Sequence, residues 1–256
     1  MAKQEVAKTE TKAVGPAMDF GSFGVENIIT SDLRIPKLLL MQAMSDFVTD
    51  GKARLGDIVD SFEARKVGDE KTPVQIIPFY VTNSWTIKKE QNGKMVFDKI
   101  EDRGGNDVRR EYEIIGQDGV KRTQHRTLNV FALMKNGNLS VPYMISFLNA
   151  SFTNAAQPFL NKVQLLKAEG KAPAHVVFNL GVTKEENDKG KWFAFTLEAA
   201  KNGDSDLATT QEELEAAYKH YTGLTTSLKS GAKIDMTDVA ADEAPTQAPN
   251  NIKAKF

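Results

Sequence analysis

The chain has 256 residues, 41% of them apolar, with no cysteine and a formal net charge of −1. That is enough apolar material for one cored domain with appendages, and the missing thiols exclude disulfides and thiolate metal sites and make a reducing cytosol the default compartment. No run of about 18 apolar residues offers a membrane span, and the first residues mix charges where a secretory signal needs an apolar stretch.

Residues 1–30 are rich in Lys, Glu, Thr, Gly and Ala and are expected to form a flexible N-terminal arm. The body is expected over residues 31–200. Pro36 pushes Ile35 into an extended conformation. The apolar run Leu38–Met44 leaves strand and short helix both open, with its Leu, Met, Gln and Ala content favouring helix. A turn at Gly51–Asp57 then leads into a strand from Ile58 to Phe62.

Val74–Thr82 reads as a strand in which Pro78 marks an edge or a bulge. Asn92-Gly93 between Trp85–Lys88 and Lys94–Phe97 is a hairpin signal, because both residues tolerate the positive φ of a tight turn. A polar, Gly-rich stretch follows at 99–110. A further hairpin joins Glu111–Ile115 to Val120–Thr123, and Lys135–Asn138 joins Leu128–Met134 to Leu139–Phe147. Phe159, Leu160, Val163 and Leu166 fall on one helical face, giving a helix over Pro158–Ala168. Two more strands, His175–Val182 and Trp192–Leu197, flank a polar turn at Lys184–Lys191. Short strands with regular turns and one inserted helix predict a mainly β, α+β fold, an OB-like antiparallel β-barrel or sheet.

After Ala200 the pattern changes. Thr210 and Glu213 form a capping box at the head of a C-terminal helical segment, 201–230. Leu214, Ala217, Tyr218, Tyr221 and Leu228 make its apolar stripe. Residues 231–256 read as a disordered acidic tail. Charge divides accordingly: residues 31–200 hold 24 Lys/Arg against 21 Asp/Glu, and residues 201–256 hold 6 against 9.

Basic and aromatic residues interleave on the predicted strands and turns. They are Trp85, Lys88, Lys89, Lys94, Arg109, Arg110, Tyr112, Lys121, Arg122, Arg126, Tyr143, Lys189, Lys191 and Trp192. A cationic groove with stacking rings binds single strands without reading sequence, each stacked base contributing roughly 1–3 kcal/mol. The same residues also fit a solvated sheet face with both tryptophans in the core, and composition alone favours that plainer account. Asp98, Glu101, Asp102 and Asp107 make a carboxylate cluster of the kind a Mg²⁺-dependent nuclease needs, although a solvated loop explains them more simply. His125, His175 and His220 lack metal-ligand spacing, and no phosphate loop or nucleophile elbow is present. No cofactor and no catalytic residue are expected.

Three stretches carry a resemblance: Arg34-Ile-Pro-Lys-Leu-Leu-Leu40, Gly51-Lys-Ala-Arg-Leu-Gly-Asp57 and Asn187-Asp-Lys-Gly-Lys-Trp192. They resemble bacteriophage single-stranded DNA-binding proteins of OB-fold type, over about residues 31–200. The resemblance implies a non-enzymatic protein that coats single-stranded DNA in a phage replication or recombination system, in the host cytoplasm. It also implies a partner-binding acidic tail, here Asp235, Asp238, Asp242, Glu243 and Phe256, that recruits replication or recombination proteins. Lys253 and Lys255 depart from that plan, because such tails are acidic up to the phenylalanine. A virion or assembly protein without DNA binding is the alternative, and homo-oligomers fit either account.

Overall fold

The computed structural model describes residues 35–43, 45–102, 112–188 and 190–229. Strands dominate: β1 (Leu38–Leu40), β2 (Ile58–Asp60), β3 (Arg65–Gly68), β4 (Val74–Gln91), β5 (Lys94–Asp102), β6 (Glu113–Ile115), β7 (Lys121–Met134), β8 (Pro142–Phe147), β9 (Phe178–Asn187) and β10 (Gly190–Ala199). The helices are α1 (Asp46–Thr49), α2 (Asn149–Ser151), α3 (Gln157–Ala168) and α4 (Gln211–Lys229), with a π-helical turn at Phe152–Ala156 between α2 and α3. The mainly β, α+β class follows. No helix among the described residues is long and apolar enough to cross a membrane.

β4 and β7 form the spine. They pair antiparallel from Ile76–Met134 to Lys89–Arg122, with a bulge between Pro78 and Tyr80. Proline donates no ladder hydrogen bond, and the bulge lets Pro78 sit in a central strand. At one end of the spine β9 joins β4, β10 joins β9 and β8 joins β7, giving a five-stranded body. At the other end β5 takes the place of β9 and β6 that of β8, giving a four-stranded arm. The strands are long where short ones were expected, because these ladders continue past the alternating stretches that announce them.

The inner face of the body gathers Ile76, Val130, Ile145, Phe147, Phe178, Leu180, Phe195 and Leu197 around Phe159 of α3. The outer face packs Ile77, Phe79, Phe131, Leu133 and Met144 against Val177 and Ala217 of α4. Both faces are covered, so β7 is buried almost throughout.

Of the two forms expected, barrel or sheet, the strands form an open sheet. β10 and β8 are its edges, with no ladder between them. Side chains serve the free edge of β10 instead. The Gln42 amide accepts from the Phe193 N–H at 3.2 Å and donates to its carbonyl at 2.8 Å, and the Phe195 N–H donates to Ser151 Oγ at 2.9 Å. Covering an edge in this way removes a template for aggregation. Leu38–Leu40 is a strand despite its helix-favouring composition, because it pairs with β2 over all three residues. The Gly51–Asp57 turn packs beside this edge. Gly56, at φ +79°, lies so close to the Phe193 ring that a Cβ would sit 2.8 Å from it. Asp57 accepts the Arg54 N–H at 2.8 Å and pairs with Lys66 at 2.9 Å.

Candidate nucleic-acid interface

The arm and the adjoining rim of the body hold most of the residues singled out above. Arg109, Arg110, Lys189, the Lys94 side chain and the tail residues Asp235, Asp238, Asp242, Glu243 and Phe256 lie outside the described residues. The rest fall into three groups.

Trp85, Lys88 and Tyr143 are buried, at 8%, 4% and 5% exposure. This corrects their expected role as surface contacts. Trp85 projects to the inner side of β4, opposite Arg126. The Tyr143 hydroxyl donates to Asp60 at 3.1 Å, and burial, reinforced by that carboxylate, pushes its pKa up to about 12. Asp60 also accepts the Phe62 N–H at 2.8 Å, so the pair anchors the β2–β3 turn.

A second group is cationic but already engaged. Lys89 and Arg122 both reach Asp98, at 3.1 and 3.2 Å, and Arg122 also meets Asp118 at 2.6 Å. Burial alone would raise the Asp98 pKa, but these two cations outweigh it and hold the carboxyl below its ordinary range. The Arg122 guanidinium is raised by its hydrogen bond to Asp118 and then by Asp98. Lys121 pairs with Glu113 at 3.0 Å and Lys191 with Glu186 at 3.2 Å. Lys89 and Arg122 face each other across β4 and β7, and Asp98 between them offsets the repulsion of that like-charge pair. These ion pairs contribute modestly and lower the field a phosphate would feel.

Arg126, Tyr112 and Trp192 make the third group. All three keep partial exposure. The Arg126 guanidinium lies over the Phe152 ring, 4.7 Å from its centroid. Its Nε is buried without a hydrogen-bond partner, and no carboxylate among the described residues pairs with it. Phe152 opens the π-helical turn, a backbone form that often marks functional sites. Just before it, Asn149 adopts the left-handed region at φ +48°, which asparagine tolerates better than most residues. Its Oδ1 meets His125 Nδ1 at 2.7 Å. An amide oxygen only accepts, so Nδ1 carries the proton, and Nε2 faces the Thr123 hydroxyl at 3.1 Å. Tyr112 sits edge-on to the same imidazole at 5.2 Å. In the middle of the turn, Asn154 donates to Glu185 at 2.8 Å, and Glu185 is the cross-strand partner of Trp192.

The π-helical turn therefore links the three remaining candidates: Arg126 over Phe152, His125 and Tyr112 at Asn149, and the Trp192 strand at Asn154. Sequence reasoning missed Phe152, Asn149 and Asn154 and began the helix at Pro158. The available signal was the run of cap-forming residues Asn149, Ser151, Thr153 and Asn154 just before that proline.

Of the four carboxylates weighed for a nuclease, two have described side chains. Asp98 is held by two cations and Glu101 pairs with Lys99 at 2.7 Å, while the Asp102 side chain and Asp107 lie outside the described residues. No group of three His, Cys, Asp or Glu among the described residues is placed to hold a metal.

Comparison with known proteins gives one result. A family model described as Pam3 phage gp34-like protein matches residues 4–233. No curated protein and no solved structure gives a match.

Proposed function

The chain belongs to this family of phage proteins, and from that premise and the geometry above we propose that it binds single-stranded DNA without cleaving it, in phage replication or recombination. The observation that carries the reading is Arg126. A half-buried guanidinium without a carboxylate partner among the described residues, set over a ring beside an irregular helical turn, still has donors to offer a phosphate. Its plane and the partly exposed Trp192 ring suit stacking by unpaired bases. Lys121, Lys191, Lys89 and Arg122 would contribute only by exchanging their carboxylate partners for phosphates. Binding is therefore expected to be moderate in strength and steeply salt-dependent, as counterion release requires.

The test is a titration of the full chain with oligo-dT, read by tryptophan emission at low and moderate salt. Trp85 is buried, so quenching should come from Trp192 and vanish in Trp192→Phe. Arg126→Ala should weaken binding about tenfold or more, with the fold retained and stability lowered by no more than the lost ring contact, about 1–2 kcal/mol. An absence of binding at low salt, or full affinity in Arg126→Ala, would overturn the proposal.

The competing reading is a virion or assembly protein. It draws on the exposed Tyr218 and Tyr221 of α4 and requires no salt-dependent DNA binding. Partner recruitment through residues 231–256 remains a proposal on the sequence resemblance alone, tested by whether deleting them abolishes capture of phage replication proteins.

A further inference from the structure

α4 is amphipathic in an incomplete way. Ala217 is buried and Leu214 half-buried against the outer face of the sheet, but Tyr218 is 69% exposed and Tyr221 41%. This departs from the expected stripe, in which both tyrosines faced the body. The rings form a ladder from the core outwards: Phe131 to Tyr80 at 5.7 Å, Tyr80 to Tyr221 at 6.1 Å, and Tyr221 to Tyr218 at 6.4 Å. Beside them an open cleft of about 700 Å³ runs between α4 and residues 172–175, lined by Phe79, Ala172, Pro173, Leu214, Tyr218 and Tyr221. An aromatic ridge next to an apolar cleft on one helix is a knob beside a hole.

The charges of α4 follow the same logic. Its acidic residues, Glu212, Glu213 and Glu215, all precede its lysines, Lys219 near mid-helix and Lys229 in the last turn. Among the described residues Glu212, Glu215 and Lys219 have no ion-pair partner, whereas Lys89, Lys99, Lys121 and Arg122 of the arm each have one. Glu215 only accepts from Gln211, at 2.8 Å.

We propose that α4 is the contact between two copies of this chain, packed antiparallel about a two-fold axis at the level of Ala217. That axis sets Glu215 of each copy opposite Lys219 of the other and carries each Tyr218 towards the other copy's cleft. A two-fold contact must be self-complementary, and a helix acidic at its head and basic at its tail is self-complementary only when antiparallel. The 19-residue helix is roughly 28 Å long. It offers less than the roughly 800 Å² per partner of a standard interface, so the dimer should be weak and reversible.

The test is sedimentation velocity on the full chain without DNA, from low to high micromolar, which keeps it separate from the DNA-binding proposal. The wild type should move from monomer to dimer. Tyr218→Glu should weaken dimerisation about tenfold or more while leaving the thermal transition unchanged, because the side chain is exposed. Glu215→Lys alone and Lys219→Glu alone should each stay monomeric, and an equimolar mixture of the two should restore a dimer by matching lysines to glutamates. A wild type that remains monomeric, an unaffected Tyr218→Glu dimer, or a mixture that fails to re-associate would each overturn the assignment. So would saturation of the cleft by an unrelated protein with no self-association.

Discussion

Removing Glu213 should release α4 from the sheet. Its carboxylate receives Lys135 at 2.8 and 3.0 Å through its two oxygens, and Oε2 also accepts the Thr210 N–H at 2.8 Å. The Thr210 hydroxyl returns the cap by accepting the Glu213 N–H at 3.3 Å. Both side chains of the ion pair are largely buried, at 18% and 10% exposure. A hydrogen bond to a charged group contributes about 1.5–3 kcal/mol net and an N-terminal cap about 1 kcal/mol. Glu213→Ala should therefore cost about 3 kcal/mol. In a double-mutant cycle with Lys135→Met, measured by urea unfolding, about 2 kcal/mol should appear as coupling. The acid limb offers a second readout. Burial alone would raise the Glu213 pKa, but Lys135 and Thr210 outweigh it and the carboxyl sits below its ordinary value. A depressed folded pKa gives stability that is complete above the unfolded value of about 4.3 and is lost as pH falls through the folded one. Glu213→Gln should flatten that loss. Coupling below about 0.5 kcal/mol, or an unchanged acid limb, would refute the claim that this pair anchors the helix.

Three further outcomes follow from the fold. Gly56→Ala should cost more than Gly51→Ala although both glycines have positive φ, because a Cβ at 56 meets the Phe193 ring and one at 51 meets nothing within 4 Å. The difference should be about 1–2 kcal/mol in urea melts, and equal costs would remove the steric part of the argument. Asn129 is fully buried, donates to Ser84 Oγ at 3.1 Å and accepts from Ser146 Oγ at 2.7 Å. Asn129→Ala orphans both hydroxyls and should lower stability by about 2–3 kcal/mol; a neutral result would mean that water replaces the amide. Tyr143, with its pKa raised to about 12, stabilises the fold fully below about pH 10 and loses that contribution as pH rises towards 12. Tyr143→Phe should remove this part of the alkaline unfolding limb.

What the sequence revealed was local. The Thr210–Glu213 capping box lies within four residues and forms as expected. Asn92-Gly93 also delivers its turn, with φ of +54° and +74°. The Asn136-Gly137 hairpin exists, but Gly137 does not adopt positive φ. Its use is room, since a Cβ would sit 3.0 Å from that of Met134. The β9 and β10 ladder runs on to the pair Asn187–Gly190, where Lys184–Lys191 read as a turn, because charged residues on an exposed hairpin look like a loop. Burial of Trp85 and Tyr143 was beyond reach for another reason. Alternation says that a strand has two faces, and only tertiary packing says that both are covered. The contact of Arg126 with Phe152 spans 26 positions and depends on a π-helical turn whose sequence resembles a loop.

β4 belongs to the body at one end and to the arm at the other, over 18 continuous residues, or roughly 60 Å of extended backbone. Its hydrogen bonds to β7 continue across the change of neighbours, so no joint separates the two parts. The arm should move as a stiff lever rather than a flap. Force applied at its tip by a taut polymer would reach the packed interior directly, and amide exchange at the root of β4 is where that tension would register.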